Sequence, residues 1–167
     1  MQKAAIDDAA LAKLAERVGR LLAAHHQMLV TAESCTGGWI AKTITDVGGS
    51  SAWFDCGLAA YSYEAKQALL GVRAETLVRH GAVSAETVVE MVSGALIHSG
   101  ASIAVAVTGI AGPGGGTVEK PVGTVWIAWK RRGGYPRTQI FHFAGDRDSV
   151  RRQTVAAALN GLEGVLG

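Results

Sequence analysis

Residues 31–44 read "TAESCTGGWIAKTI" and set Glu33, Ser34, Cys35 and Thr36 side by side ahead of two glycines. Small polar groups, flexible backbone and then helix-like spacing describe a strand-to-helix turn. Backbone N–H groups at such a helix start can hold an anion or an oxyanion, and Ser34 or Thr36 can be a cap, a ligand donor or a nucleophile. Three more loops carry comparable groups. "VGGSSAWF" places Ser50 and Ser51 after two glycines, where serines also serve as plain turn formers. "AYSYEAK" puts Tyr61 at a strand end and Lys66 near a helix start, although an isolated lysine is ordinarily a solvated surface group. "VTGIAGPGGG" closes a buried strand at Thr108 and runs on through Gly109, Gly112 and Gly114. The carboxyl end of a central strand is where open α/β sheets bind ligands.

Several familiar chemistries lack their signatures. No Gly-Lys-Ser or Gly-Lys-Thr follows the glycine loop, and its spacing is not that of a dinucleotide fingerprint, which argues against ATP hydrolysis. The five histidines and two cysteines have no paired ligand spacing, so no metal site is expected. Gly-x-Ser-x-Gly is absent, and with it the usual strand-turn mark of a Ser-His-Asp hydrolase. A serine activated by another base remains. Lysine can be that base when burial or neighbouring cations lower its pKa enough for the neutral amine to accept the serine proton.

The elements that must position these loops follow from periodicity. Residues 7–25 bring Leu11, Leu14, Val18, Leu21 and Leu22 to one helical face, with Asp7 and Asp8 at the end where the helix dipole favours negative charge. "MLVTAE", "CGLAAYS", "ASIAVAVTG" and "VGTVWIAW" read as strands, and "YPRTQIFHF" alternates like a strand with one exposed face. Helices are expected over "GGWIAKTITDV", over "YEAKQALLGV" closed by Gly71, over residues 85–100 capped by Ser84, and over the last stretch from Asp146. Helices and strands alternate first and strands then come in succession. That order predicts an α/β fold, a single three-layer α/β/α domain around a mixed β-sheet spanning residues 1–167.

Composition agrees with one globular domain: 167 residues, 49% hydrophobic and 18% charged. The 22 glycines, above the usual share of about 7%, imply backbone that turns tightly or approaches something closely. A net charge of +2 without a dense basic tract predicts no nucleic-acid partner, while small anionic ligands stay open. No apolar run approaches the roughly 20 residues that span a bilayer. With two cysteines and no signal-peptide core, the expectation is a cytoplasmic protein without membrane contact.

"TAESCTGG", "AYSYEAKQALLGV", "HGAVSAETV", "AVTGIAGPGGGTVEKPVGTVW" and "GDRDSVRRQ" occur in an order that resembles the successive motifs of the CinA C-terminal domain family, from about Leu11 to Leu162. The resemblance implies metal-free hydrolysis of the carboxamide of nicotinamide mononucleotide to nicotinate mononucleotide and ammonia, in pyridine-nucleotide recycling, with no cofactor. It also implies that Ser34, Ser51, Tyr61, Lys66, Thr108 and Arg147 line the amidase pocket. Tyr63 departs from the asparagine common at that position, a change at the pocket rim that touches substrate preference only.

Amide hydrolysis needs an attacking hydroxyl, a base, oxyanion donors and an acid for departing ammonia. The expected roles are Ser51 as nucleophile, Lys66 as base and later acid, and Tyr61 as a tuner or relay of the proton, with Ser34 as the alternative nucleophile. Thr36, Gly37, Thr108, Gly109 and Gly112 are the expected substrate-binding positions, and Arg147 the partner of the nucleotide phosphate. Symmetric homodimers are the commonest assemblies, so a homodimer or higher homo-oligomer is expected. A non-catalytic nucleotide-binding module, or an interaction subunit related to DNA competence, is the competing reading; the module has no use for Lys66, and the sequence offers no dense basic tract in support of the subunit.

Overall fold

Strand β1 (Leu29–Glu33) is buried at every position, so its alternating side chains face two different cores. Leu29 packs on one side and Val30 and Ala32 on the other. The computed structural model, which describes residues 5–166, explains both. Helices α1 (Asp8–Ala24), α2 (Trp39–Thr45) and α6 (Arg147–Leu166) supply the first core. Helices α3 (Tyr63–Leu70), α4 (Ala74–His80) and α5 (Ala85–Ile97) cover the opposite face. Between them lie β1, β2 (Phe54–Ala59), β3 (Ile103–Gly109), β4 (Thr124–Arg131) and β5 (Arg137–His142), in the order β2-β1-β3-β4-β5. The first three strands are parallel, and β4 and β5 pair antiparallel beyond them. The expected three-layer α/β fold with a mixed sheet is the observed one.

Local chemistry sets the boundaries that matter for function. The Asp7 carboxylate accepts from Ala10 N–H at 2.7 Å and starts α1. Ser62 accepts from Ala65 N–H at 3.0 Å and starts α3, so the chain leaves the sheet before Ser62 rather than carrying the strand through it. The strand expected over residues 56–62 is therefore β2 at Phe54–Ala59. Helix α4 and a single 3₁₀ turn at Ser50–Ala52 were not anticipated. The start of α4 depends on Glu90, which accepts from Arg73 N–H, Arg73 Nε and Thr76 Oγ1 from 17 and 14 residues away.

Helix α5 presses close to the end of α3. A Cβ on Gly94 would lie 1.7 Å from the Leu70 carbonyl oxygen, so no other residue fits there without displacing α3. That contact fixes α3 against the sheet, and α3 carries Lys66.

Candidate active site

The end of β1 divides its last two side chains between the two layers, as strand alternation requires. Glu33 turns toward α2. It is 1% exposed and its carboxylate accepts from Thr36 Oγ1 at 2.6 Å, Ile40 N–H at 2.8 Å and Ala41 N–H at 3.0 Å. The carboxylate thus serves as the N-terminal cap of α2, and the favourable end of the helix dipole compensates its buried charge. Ser34 continues the alternation toward α3. There Lys66 Nζ, in a side chain 1% exposed, lies 2.8 Å from Ser34 Oγ, 3.0 Å from the Ala60 carbonyl and 3.1 Å from the Tyr61 carbonyl.

Among the described residues no carboxylate pairs with Lys66, and burial pushes its pKa down. A neutral amine has two N–H bonds and one lone pair. The two carbonyls accept both hydrogens, which leaves the lone pair to accept the Ser34 hydroxyl proton. The neighbouring Cys35 thiol is buried, and desolvation pushes its pKa up to about 12, so the thiolate needed for nucleophilic attack is not formed near neutrality.

Ser34 is followed by a tight turn in which Gly37 N–H donates to the Ser34 carbonyl at 3.0 Å. Gly37 and Gly38 have φ of 60° and 101°, left-handed values that disfavour a Cβ. Between them and Ser34, the N–H groups of Cys35 and Thr36 have no acceptor among the described residues. Register pairs Glu33 with Val107 and so brings Thr108, at the end of β3, beside Ser34 on the same face. Thr108 is 1% exposed and donates to the Ala82 carbonyl at 2.8 Å.

These groups open into a cavity of about 260 Å³ lined by Ser34, Cys35, Tyr61, Lys66, Thr108 and Arg147, with Gly109, Gly112, Gly114 and Gly115 along one wall. The amides of Gly112, Gly114 and Gly115 have no acceptor among the described residues. Arg147, at the start of α6, donates to the Gly112 carbonyl at 2.8 Å and to the Tyr61 hydroxyl at 3.2 Å, and no described acid pairs with it. A larger hollow of about 730 Å³ lies between β5 and α6 and holds none of the expected site residues. Among the described residues no three His, Cys, Asp or Glu side chains come together as a metal-binding group.

Three expected site residues sit differently from what their roles call for. Ser51 is not brought to Lys66: it is exposed in the 3₁₀ turn before β2, whereas Lys66 lies beyond the other end of that strand. Six residues at about 3.3 Å each put about 20 Å between the two ends. Tyr61 is 64% exposed and its hydroxyl accepts from Arg147, while its carbonyl accepts from Lys66. The Thr36 hydroxyl is committed to Glu33, which leaves only its amide for a ligand. Sequence reasoning gave no role to Glu33 or Arg151. Both sit within quoted motifs, but apart from the Thr36 hydroxyl on Glu33 their partners are backbone groups that no residue pattern displays.

The chain is similar to known proteins over most of its length. The CinA C-terminal domain model matches residues 11–166. The chain belongs to the CinA C-terminal domain family. Over 155 residues it is 56% identical to the nicotinamide-nucleotide amidohydrolase PncC of Escherichia coli K12, covering 93% of this chain and 94% of that one. The PncC of Pseudomonas putida is 53% identical over 149 residues, 89% of this chain and 92% of its own. The crystal structure of the competence/damage inducible protein CihA from Agrobacterium tumefaciens superposes with a TM-score of 0.92 at 44% identity, over 96% of this chain and 97% of that one.

Proposed function

We propose that this protein is a nicotinamide-nucleotide amidohydrolase, hydrolysing the carboxamide of nicotinamide mononucleotide to nicotinate mononucleotide and ammonia, with Ser34 as nucleophile and Lys66 as its base. The activity is supported by PncC relatives at 50–56% identity that span most of the chain. The observation that carries the mechanism is the 2.8 Å contact between Lys66 Nζ and Ser34 Oγ, with two carbonyls absorbing the remaining amine hydrogens.

Ser34 Oγ attacks the carboxamide carbon as its proton passes to Lys66 Nζ. The carbonyl oxygen gains a negative charge, and the free N–H groups of Cys35 and Thr36 receive it. Lys66 then returns its proton to the amide nitrogen, ammonia leaves, and an ester joins the nicotinoyl group to Ser34. Water, deprotonated by Lys66, attacks the ester carbon and releases nicotinate mononucleotide with Ser34 restored. Thr108 bounds the ring at the cavity wall. The phosphate takes the unpartnered amides of the glycine loop and the guanidinium of Arg147.

The whole chain acts as one catalytic domain in the cytoplasm, on a small diffusible nucleotide, as a homodimer or higher homo-oligomer. The described helices include none long and apolar enough to cross a membrane. The test is a mass balance with purified protein: ammonia and nicotinate mononucleotide formed in equal amounts from nicotinamide mononucleotide. Binding of the nucleotide without ammonia release would reduce the chain to a binding module.

A further inference from the structure

Arg151, on α6, is four residues beyond the arginine that faces the cavity, and it does not line that cavity. Its guanidinium instead reaches the back of the Ser34 turn. Nε donates to the Cys35 carbonyl and a terminal nitrogen donates to the Thr36 carbonyl, each at 3.1 Å. The Trp39 ring, with its centroid 5.2 Å from the guanidinium carbon, supports the group from the side.

A trans peptide is planar, so its C=O and N–H point in opposite directions. The Cys35 carbonyl and the Thr36 N–H belong to one such plane, and the Thr36 carbonyl and Gly37 N–H to the next. With both carbonyls held by Arg151, both N–H groups must point away from it. The Gly37 N–H shows where that direction leads, since it donates to the Ser34 carbonyl. The Thr36 N–H is turned toward the same side, and it is the one left without an acceptor, in a residue that is 0% exposed. A buried backbone donor with no partner is unusual enough to need a reason.

We propose that Arg151 is the positioning residue for oxyanion stabilisation: by clamping the Cys35 and Thr36 carbonyls it aims the Thr36 amide at the oxygen that becomes negative when Ser34 attacks. A charged donor on each carbonyl also polarises the peptide, which makes its N–H a better donor. Cys35 and Thr36 thus supply backbone only, and α6 serves the reaction through Arg147 on the substrate side and Arg151 behind the turn. The assignment rests on the reading of Ser34 as nucleophile.

The experiment compares wild type, Arg151→Lys and Arg151→Met, with Ser34→Ala as control. The readouts are kcat, KM, the pH dependence of kcat, and the affinities of nicotinate mononucleotide and of a mononucleotide carrying a boronic acid in place of the carboxamide. Boron becomes tetrahedral and anionic when the serine oxygen adds to it, so it reports on oxyanion donors, whereas the planar product does not. Loss of one such donor lowers kcat roughly 10²–10³-fold. For Arg151→Met a fall approaching that range is expected, with KM and product affinity within about twofold of wild type, an unmoved acidic limb of the pH profile, and boronate affinity falling by the same factor as kcat/KM. Arg151→Lys, which keeps the charge but offers a single contact, should fall between; it also supplies the comparison if the methionine variant folds poorly. Boronate affinity that depends on Ser34 but not on residue 151, or equal losses for boronate and product, overturns the role of Arg151 alone. Boronate binding indifferent to Ser34→Ala removes the nucleophile assignment, and the oxyanion role with it.

Discussion

Ser34 and Ser51 stand in similar words of sequence, each a small polar residue beside glycines and close to a tryptophan, yet they occupy opposite ends of the sheet. Ser34 follows the carboxyl end of β1, where strand alternation turns it toward α3 and a lysine that burial holds below its ordinary pKa. Ser51 precedes the amino end of β2, in an exposed turn whose neighbours Gly49 and Trp53 set the chain's return into the sheet. On the proposed mechanism, reactivity in this fold is decided less by the residue and its neighbours in sequence than by the strand end at which it emerges. In a parallel sheet all carboxyl ends face one way, so the loops after β1, β2 and β3 meet at one edge, and the loops before them meet at the opposite one.

The sharpest way to break that contrast is to delete each hydroxyl. Ser34→Ala should keep the fold, since Lys66 retains two carbonyl acceptors, and should lose kcat by roughly 10⁴-fold or more, as expected when a nucleophile is removed. Ser51→Ala marks the other extreme and comes last.

Next in size is Lys66→Met, which removes the base but fills the same buried volume. Loss of general acid–base catalysis should lower kcat roughly 10²–10⁴-fold, and Arg at this position should not rescue it, because a guanidinium cannot take up the proton. In the wild type the rate should fall as pH falls through the lowered pKa of Lys66, since protonation occupies the lone pair. Stability supplies an independent check. Between that lowered pKa and the ordinary lysine value of 10.5, the unfolded chain binds more protons than the folded one, so stability rises with pH across the window. In Lys66→Met, denaturant titrations over the same range should lose this part of the slope.

Arg147→Ala should have a smaller and more selective effect. A charge-assisted hydrogen bond contributes about 1.5–3 kcal/mol, so KM for the mononucleotide should rise roughly 10- to 100-fold while the phosphate-free riboside is hardly affected. Equal losses for both would assign Arg147 to holding Gly112 and Tyr61 in place. The smallest effect belongs to Ser51→Ala, whose kcat and KM are expected within about twofold of wild type; a loss comparable to that of Ser34→Ala would return the 3₁₀ turn to the active site.

Much of the architecture was legible because its causes are local. The apolar stripe from Leu11 to Leu22, the apolar-rich runs of β1 and β3 and the cap at Ser84 all write themselves into neighbouring residues, whereas the cap at Ser62 fell inside an expected strand. Helix α4 was not legible, because Glu90 organises its first turn from another helix. The site divides in the same way. Lys66 and Ser34 were visible as residues, but their pairing depends on which face of the sheet Ser34 takes and on the close approach of α5 to α3 at Gly94. Serine and glycine near Ser51 carried a motif without a position. Arg151 was invisible for a further reason: its partners are carbonyl oxygens 115 and 116 residues away, and a carbonyl leaves no trace in the residue that bears it.

The claim at the centre of this account is that the acyl group passes through Ser34. It is tested most directly by acid-quenching the enzyme during turnover of nicotinamide mononucleotide and mapping the protein by peptide mass spectrometry. The predicted result is a nicotinoyl-nucleotide ester on the peptide that carries Ser34, absent from Ser34→Ala and from Lys66→Met. An ester found on the Ser51 peptide, or persisting in Ser34→Ala, would contradict it.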